Sequence, residues 1–123
     1  MSDIGAMLLR GWLALLILVE LPEIKGKLVD GHGFLPDGFG SNLRNDGASR
    51  RLWAFMISLL VIARVMALAN PENHAVRVNC AAVHIGEAMY MASEKLIFKC
   101  KGEGYIFFLM LLNVVVFSAW CFY

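Results

Sequence analysis

Four stretches of the chain are apolar at most positions, and each approaches the roughly 20 residues that an α-helix needs to cross a bilayer. They cover residues 4–22, 52–69, 75–98 and 104–123. The last stretch contains no charged residue, so it lacks the polar outer face that a helix of a soluble bundle requires. The pattern therefore predicts an all-α, integral membrane four-helix bundle with antiparallel up-down spans, formed as one domain by residues 1–123.

The connection between the first two stretches, residues 23–51, is the only long one, and it is rich in turn-forming Gly, Pro, Asp and Asn. A turn at Asn70-Pro71 is predicted before the third stretch, and another at Lys101-Gly102 before the fourth. Basic residues border the first and third connections: Lys25, Lys27, Arg44, Arg50, Arg51, Lys95, Lys99 and Lys101. Because Lys and Arg near span ends stay on the cytoplasmic side, both connections are predicted to face the cytoplasm or the mitochondrial matrix.

Composition excludes several classes of protein. Hydrophobic residues make up 59% of the chain, charged residues 17%, and the mean hydropathy is +0.65, which is too apolar for an ordinary soluble domain. The net charge of +1 gives no field that would hold nucleic acid. The three cysteines have no CxxC spacing, so they indicate neither a disulfide framework nor a zinc site, and we expect small buried hydrophobes at Cys80, Cys100 and Cys121.

Ionisable residues form a stripe on the third stretch. Three- and four-residue steps connect Arg77, Cys80, His84, Glu87, Met91 and Glu94. At 100° per residue these positions share one narrow helix face, which must point inward or toward another protein because lipid cannot solvate it.

Depth along the helices predicts partners for this stripe. At 1.5 Å per residue from the basic side, Glu87 lies roughly 16 Å deep, and Arg64 and Arg10 on two other spans lie roughly 18 Å deep. Opposite charges at one level can neutralise each other, so we predict a cluster between helices. Its members are Arg10, Arg64, His84 and Glu87, with Glu94 nearer the basic surface and close to Arg51.

The spacing of these residues does not favour catalysis. Glu87 follows His84 by three residues, as in half of a carboxylate-histidine metal motif, but a di-iron site needs two such pairs and two further carboxylates. No Ser, Cys or Lys stands where it would be paired with a base and an orienting group. We therefore predict no catalytic residue, no metal and no cofactor, and we expect the charges to fix helix register and partner choice. Small residues could allow close approach of partner helices, namely Ala63, Ala67, Ala81, Ala82, Ala88 and Ala92.

Residues at matching spacings along most of the chain resemble one known family. They are Leu9-Arg10-x-Trp12, Arg51, Arg64 thirteen residues later, Asn73, and Ser93-Glu94 followed by Leu96-Ile97-Phe98. In these positions the chain resembles the ergosterol biosynthetic protein 28 family, small four-span proteins of the endoplasmic reticulum. It departs from the family pattern at Leu52-Trp53-Ala54, where members have Thr and an aromatic-Gly pair, and at Tyr90, where members have a histidine.

The resemblance implies a non-catalytic scaffold that tethers the sterol C-4 demethylation enzymes to one another in the endoplasmic reticulum membrane. The expected partners are other integral membrane proteins of a hetero-complex and membrane lipids, and no nucleic acid. One open alternative is an accessory structural subunit of a larger mitochondrial inner-membrane complex, such as a respiratory complex or the ATP synthase. A second is a small membrane enzyme or lipid-binding protein that uses the face of His84 and Glu87.

Overall fold

Four α-helices account for nearly all of the described chain, and no strand occurs among those residues. A computed structural model describes residues 3–26, 28, 47–97 and 104–122. The helices are α1 (Asp3–Lys25), α2 (Gly47–Ala69), α3 (His74–Leu96) and α4 (Gly104–Trp120). The predicted all-α class and the positions of the four helical stretches are confirmed. Most of the predicted connection 23–51, the Lys101-Gly102 turn and Cys100 lie outside the described residues.

Two helices extend beyond their apolar stretches, so the first connection is shorter than predicted. Helix α1 continues through Pro22 to Lys25, although proline lacks the N–H that would bond to the preceding turn. Helix α2 begins at Gly47, several residues before the apolar run starts at Leu52. Hydropathy marks where a helix becomes apolar, whereas the backbone hydrogen bonds that define its ends also form in polar segments.

The connection between α2 and α3 is a tight turn, as Asn70-Pro71 predicted. The N–H of Asn70 still donates to the carbonyl of Met66, and the N–H of Asn73 donates to the carbonyl of Asn70. The Asn73 side chain then caps α3 by accepting hydrogen bonds from the N–H groups of Ala75 and Val76 at 3.0 and 3.4 Å. This cap satisfies two backbone donors that a helix N-terminus otherwise leaves without partners.

Consecutive helices pack against each other in chain order, α1 on α2, α2 on α3 and α3 on α4. Contacts between α2 and α3 join Trp53 to Tyr90 near one end and Arg64 to His84 nearer the other, so these helices run antiparallel. The described Cα atoms of α1 and α4 stay more than 8 Å apart. Side chains such as Trp12 and Asn113 therefore bridge the seam between the first helix and the last.

Two apolar clusters form the core, one toward each end of the bundle. The first contains Leu9, Leu13, Ala67, Cys80, Ala81, Phe117 and Trp120. The second contains Trp53, Ile57, Val61, Met91 and Met110. Arg64 on α2 and His84 on α3 fall between the two clusters in sequence, so a polar layer separates the apolar ones.

The outer surface of the bundle is apolar on all four helices. Leu18, Phe55, Met89 and Phe108, one from each helix, are at least 60% exposed. By length and composition, two helices could cross a membrane, over residues 3–25 and 51–69. The part of α4 from Phe107 to Trp120 is apolar but shorter. Large exposed apolar surfaces in a protein mark contact with a membrane or with other proteins.

Candidate functional site

The centre of the bundle holds a buried arginine that joins three helices. Arg64 on α2 is 1% exposed, and its Nε donates a hydrogen bond to Nε2 of His84 on α3 at 3.0 Å. Its Nη1 lies 3.4 Å from Oε1 of Glu20 on α1, which forms an ion pair. A buried arginine is tolerated in an apolar interior only when its charge is compensated. Glu20 supplies the opposite charge and His84 accepts from Nε, while Nη1 has no hydrogen-bond partner among the described residues.

The hydrogen bonds of His84 define the form of its ring. Nδ1 lies 2.7 Å from the carbonyl oxygen of Cys80, which can only accept, so Nδ1 carries a hydrogen and donates it. Nε2 accepts from Arg64 and is therefore unprotonated, which makes the imidazole the neutral Nδ1–H tautomer. The ring also packs on Phe117, with centroids 4.4 Å apart. Both nitrogens are used structurally, and neither is directed into an open cavity.

The carboxylate that pairs with Arg64 is Glu20, and the prediction that Arg10 joins the central cluster is wrong. Arg10 is exposed and faces the end of the bundle at which α1 begins. The reason is side-chain direction, because helical side chains point toward the N-terminus of their own helix. Arg64 and Glu20 lie on antiparallel helices and therefore reach toward each other, whereas Arg10 reaches away toward Asp3.

Glu87 is buried and interacts electrostatically with Arg64 and Glu20, but it makes no direct contact within the predicted cluster. It is 8% exposed and forms no ion pair with Arg64, although both side chains are described. Instead, Glu87 lines a groove of about 220 Å³ between α2 and α3, together with Trp53, Ile57 and Leu60. Of the four residues predicted to cluster, the structure joins only Arg64 and His84 directly.

The inward orientation of the stripe on α3 is confirmed. Its buried members are Arg77, Cys80, His84, Glu87 and Met91. Glu94 is half-buried and Arg51 is exposed, and their proximity stays a prediction. Four of the small residues expected to meet partner helices are instead buried within the bundle: Ala63, Ala67, Ala81 and Ala88. Ala82 remains exposed.

Besides the Arg64 contacts, the bundle contains a polar contact between α1 and α4 that was not predicted. Nε1 of Trp12 donates a hydrogen bond to Oδ1 of Asn113 at 2.9 Å. The available signal was Asn113 itself, because a buried amide inside a charge-free apolar run needs a partner from another helix. For Glu20, the signal was a single acidic residue inside the first apolar stretch, and it was not assigned a partner.

At the end of the bundle, Arg77 is held by three neighbours. Its Nε donates to the carbonyl of Pro71, its Nη2 lies 3.6 Å from Oε2 of Glu72, and its Cζ lies 5.0 Å from the centroid of the Trp120 ring. The ion pair and the cation–π contact fix the guanidinium over the end of α4. Arg77 and Arg10 line the same cavity of about 530 Å³.

No protein-family model matches this chain, and no curated protein or solved structure is significantly similar to it. Within the described ranges, no group of three or more His, Cys, Asp or Glu side chains could hold a metal ion. The polar and apolar surfaces of the bundle itself are therefore the basis for proposing a function.

Proposed function

We propose that this chain spans a membrane four times and serves as a non-catalytic scaffold or tethering subunit of a hetero-complex. The observation that carries this proposal is the distribution of polarity across the bundle. Arg64, His84 and Glu87 are buried between the helices, and Arg64 is paired with Glu20, while large apolar side chains cover the outside. That distribution fits a protein whose solvent is lipid, since lipid can solvate the outer surface but not the inner stripe.

Helix geometry is compatible with four spans. Helix α3 carries several ionisable residues, but it buries Arg77, His84 and Glu87 inside the bundle and exposes Val78, Ile85 and Met89. Helix α4 has 17 residues and is therefore roughly 26 Å long at 1.5 Å per residue, close to the hydrocarbon thickness of about 30 Å.

A structural role accounts for the polar groups better than a catalytic one. Both nitrogens of His84 are occupied, Arg64 is buried, and Trp12 is bonded to Asn113. Such contacts hold helices in register and leave the outer surface for other membrane proteins. The resemblance to the ergosterol biosynthetic protein 28 family supports a tether for sterol C-4 demethylation enzymes in the endoplasmic reticulum. The alternative is an accessory subunit of a mitochondrial inner-membrane complex.

The test uses two glycines as probes of the outer surface. Gly11 on α1 and Gly86 on α3 are exposed, and a Cβ added at either would meet no atom within 4 Å. Gly11→Leu and Gly86→Leu should therefore leave the isolated bundle intact. Gly11→Leu should disrupt only a partner that packs closely there, whereas Gly86→Leu also fills the groove between α2 and α3.

The tagged full chain and both variants are extracted from membranes with a gentle detergent, and copurifying proteins are identified by mass spectrometry. We expect a defined set of integral membrane proteins to copurify with the wild-type chain. The identity of these proteins distinguishes the sterol pathway from a mitochondrial complex. We also expect at least one glycine variant to lose these copurifying proteins while keeping its helical circular dichroism spectrum. Recovery of the chain in the soluble fraction, or alone from membranes, would refute it.

A second candidate function, a small membrane enzyme or lipid-binding protein, is favoured by the groove in which the buried Glu87 lies. An apolar groove with one carboxylate has the composition of a small-molecule site. Glu87→Gln keeps the side-chain shape and removes the charge. A Glu87→Gln chain that no longer replaces the wild-type protein in cells, but still copurifies with the same partners, would favour this candidate over the scaffold.

A further inference from the structure

The seam between α1 and α4 is a continuous apolar groove. Its walls are Gly5, Leu8, Leu9 and Trp12 from α1, and Leu112, Val116, Ala119 and Trp120 from α4. It encloses about 460 Å³, a size typical of small-molecule sites, and from Gly5 to Trp12 it is roughly 10 Å long. The groove exists because the two backbones stay apart, and the Trp12–Asn113 hydrogen bond crosses the same seam.

The groove adjoins the polar cavity at the end of the bundle, because Leu9 and Trp120 line both. Four charged side chains surround this cavity: Asp3, Arg10, Glu72 and Arg77. Arg77 is paired with Glu72, but Asp3 and Arg10 are exposed and neither forms an ion pair with any described residue. Two guanidinium groups and two carboxylates give the cavity no net charge.

We propose that this site binds one phospholipid with a zwitterionic, primary-amine headgroup, with an acyl chain in the α1–α4 groove and the headgroup in the end cavity. Membrane lipid already surrounds the chain, so the apolar groove by itself gives little preference for one lipid over another. Preference comes from the cavity: Arg10 pairs with the phosphate and Asp3 accepts hydrogen bonds from the ammonium, beside the Arg77–Glu72 ion pair that already exists. An anionic headgroup that lacks an ammonium leaves Asp3 without a partner, and a sterol hydroxyl leaves Arg10 without an anionic partner. Glu72 and Arg77 keep each other in both cases.

This inference rests on one element of the proposed function, namely membrane insertion, and it does not depend on tethering. The lipid occupies the leaflet on the side opposite the basic connection, because Asp3 and the α2–α3 turn lie at that end of the bundle.

The test is native mass spectrometry of the full chain in detergent, titrated with phosphatidylethanolamine, phosphatidylglycerol of the same acyl chains, and a sterol. We expect one phosphatidylethanolamine to be retained per chain in preference to the other two. Arg10→Gln should weaken its binding about tenfold, the effect of losing one charge-assisted hydrogen bond. Ala119→Phe should abolish binding, because Ala119 is exposed and its new ring fills the groove without entering the core.

Matched controls keep the outcome specific. Val115→Phe adds the same ring to a residue of α4 that is 65% exposed and does not line the groove, and Arg51→Gln removes an exposed guanidinium on α2. Both should bind like the wild-type chain. Equal retention of the three lipids, or unchanged binding by Ala119→Phe, would overturn the inference while leaving the scaffold proposal intact. A chain that does not fractionate with membranes would instead refute the proposed function.

Discussion

Removing the carboxylate that pairs with Arg64 should destabilise the bundle more than removing a surface partner. Glu20→Leu leaves a guanidinium that is 1% exposed without its ion pair. Loss of one partner from a buried ion pair costs about 3–5 kcal/mol. In the proposed membrane setting, an arginine at the centre of a helix costs about 2.5–3.5 kcal/mol on an insertion scale. Since the Glu20 side chain is 17% exposed, we expect a loss of about 3 kcal/mol in the free energy of unfolding.

The double variant gives the sharper result. Adding Arg64→Met to Glu20→Leu removes the stranded charge and fills its space with an apolar chain of similar length. The remaining cost is the Nε2 acceptor of His84, which loses its donor and accounts for about 1–2 kcal/mol. The double variant should therefore be more stable than Glu20→Leu alone, although each single change is destabilising by itself.

Reversible unfolding in mixed micelles of increasing dodecyl sulfate fraction, followed by circular dichroism, measures these differences. Glu72→Leu is the matched control, because it removes the carboxylate of the Arg77 ion pair at a side chain that is 89% exposed. Its effect should stay within about 0.5 kcal/mol. A Glu20→Leu variant as stable as this control, or a double variant less stable than Glu20→Leu, would refute the assignment of Glu20 as the partner of Arg64.

Two further predictions use the same unfolding assay. Phe117→Ala should lower the free energy of unfolding by about 3–5 kcal/mol, because the ring is fully buried against His84. Phe108→Ala, at a ring that is 66% exposed, should lower it by less than about 0.5 kcal/mol. Equal losses would contradict the described packing of α4. Asn73→Ala should lower stability by about 1 kcal/mol through loss of the α3 cap, while Asn79→Ala at an exposed helical position should not lower it. A neutral Asn73→Ala would show that the cap contributes nothing.

Helix positions and the inner face of α3 could be predicted because each depends on local periodicity. Arg77, His84 and Glu87 recur at helical spacing, so their common face follows from the sequence alone, and the structure buries all three. The turn at Asn70-Pro71 was predictable for a similar reason, since both residues restrict the backbone locally.

The partners of the central arginine could not be predicted by counting residues. Depth counted along the chain placed Arg10 level with Arg64, but the length and direction of an arginine side chain shift its charge by about one helical turn. The true partner, Glu20, was visible as a charge in the first apolar stretch. Choosing it required the relative offset of α1 and α2, which tertiary packing determines. The groove that contains Glu87 likewise depends on how far apart α2 and α3 pack.

Arg64 has one partner on the helix before it and one on the helix after it, and this order matters during biosynthesis. In the proposed membrane setting, α1 and then α2 emerge from the ribosome before α3 does, so at that stage His84 cannot yet accept the hydrogen bond of Arg64. Only Glu20 is then available to neutralise Arg64. Helices α1 and α2 should consequently leave the translocon as a preassembled hairpin, and α3 should add to it afterwards.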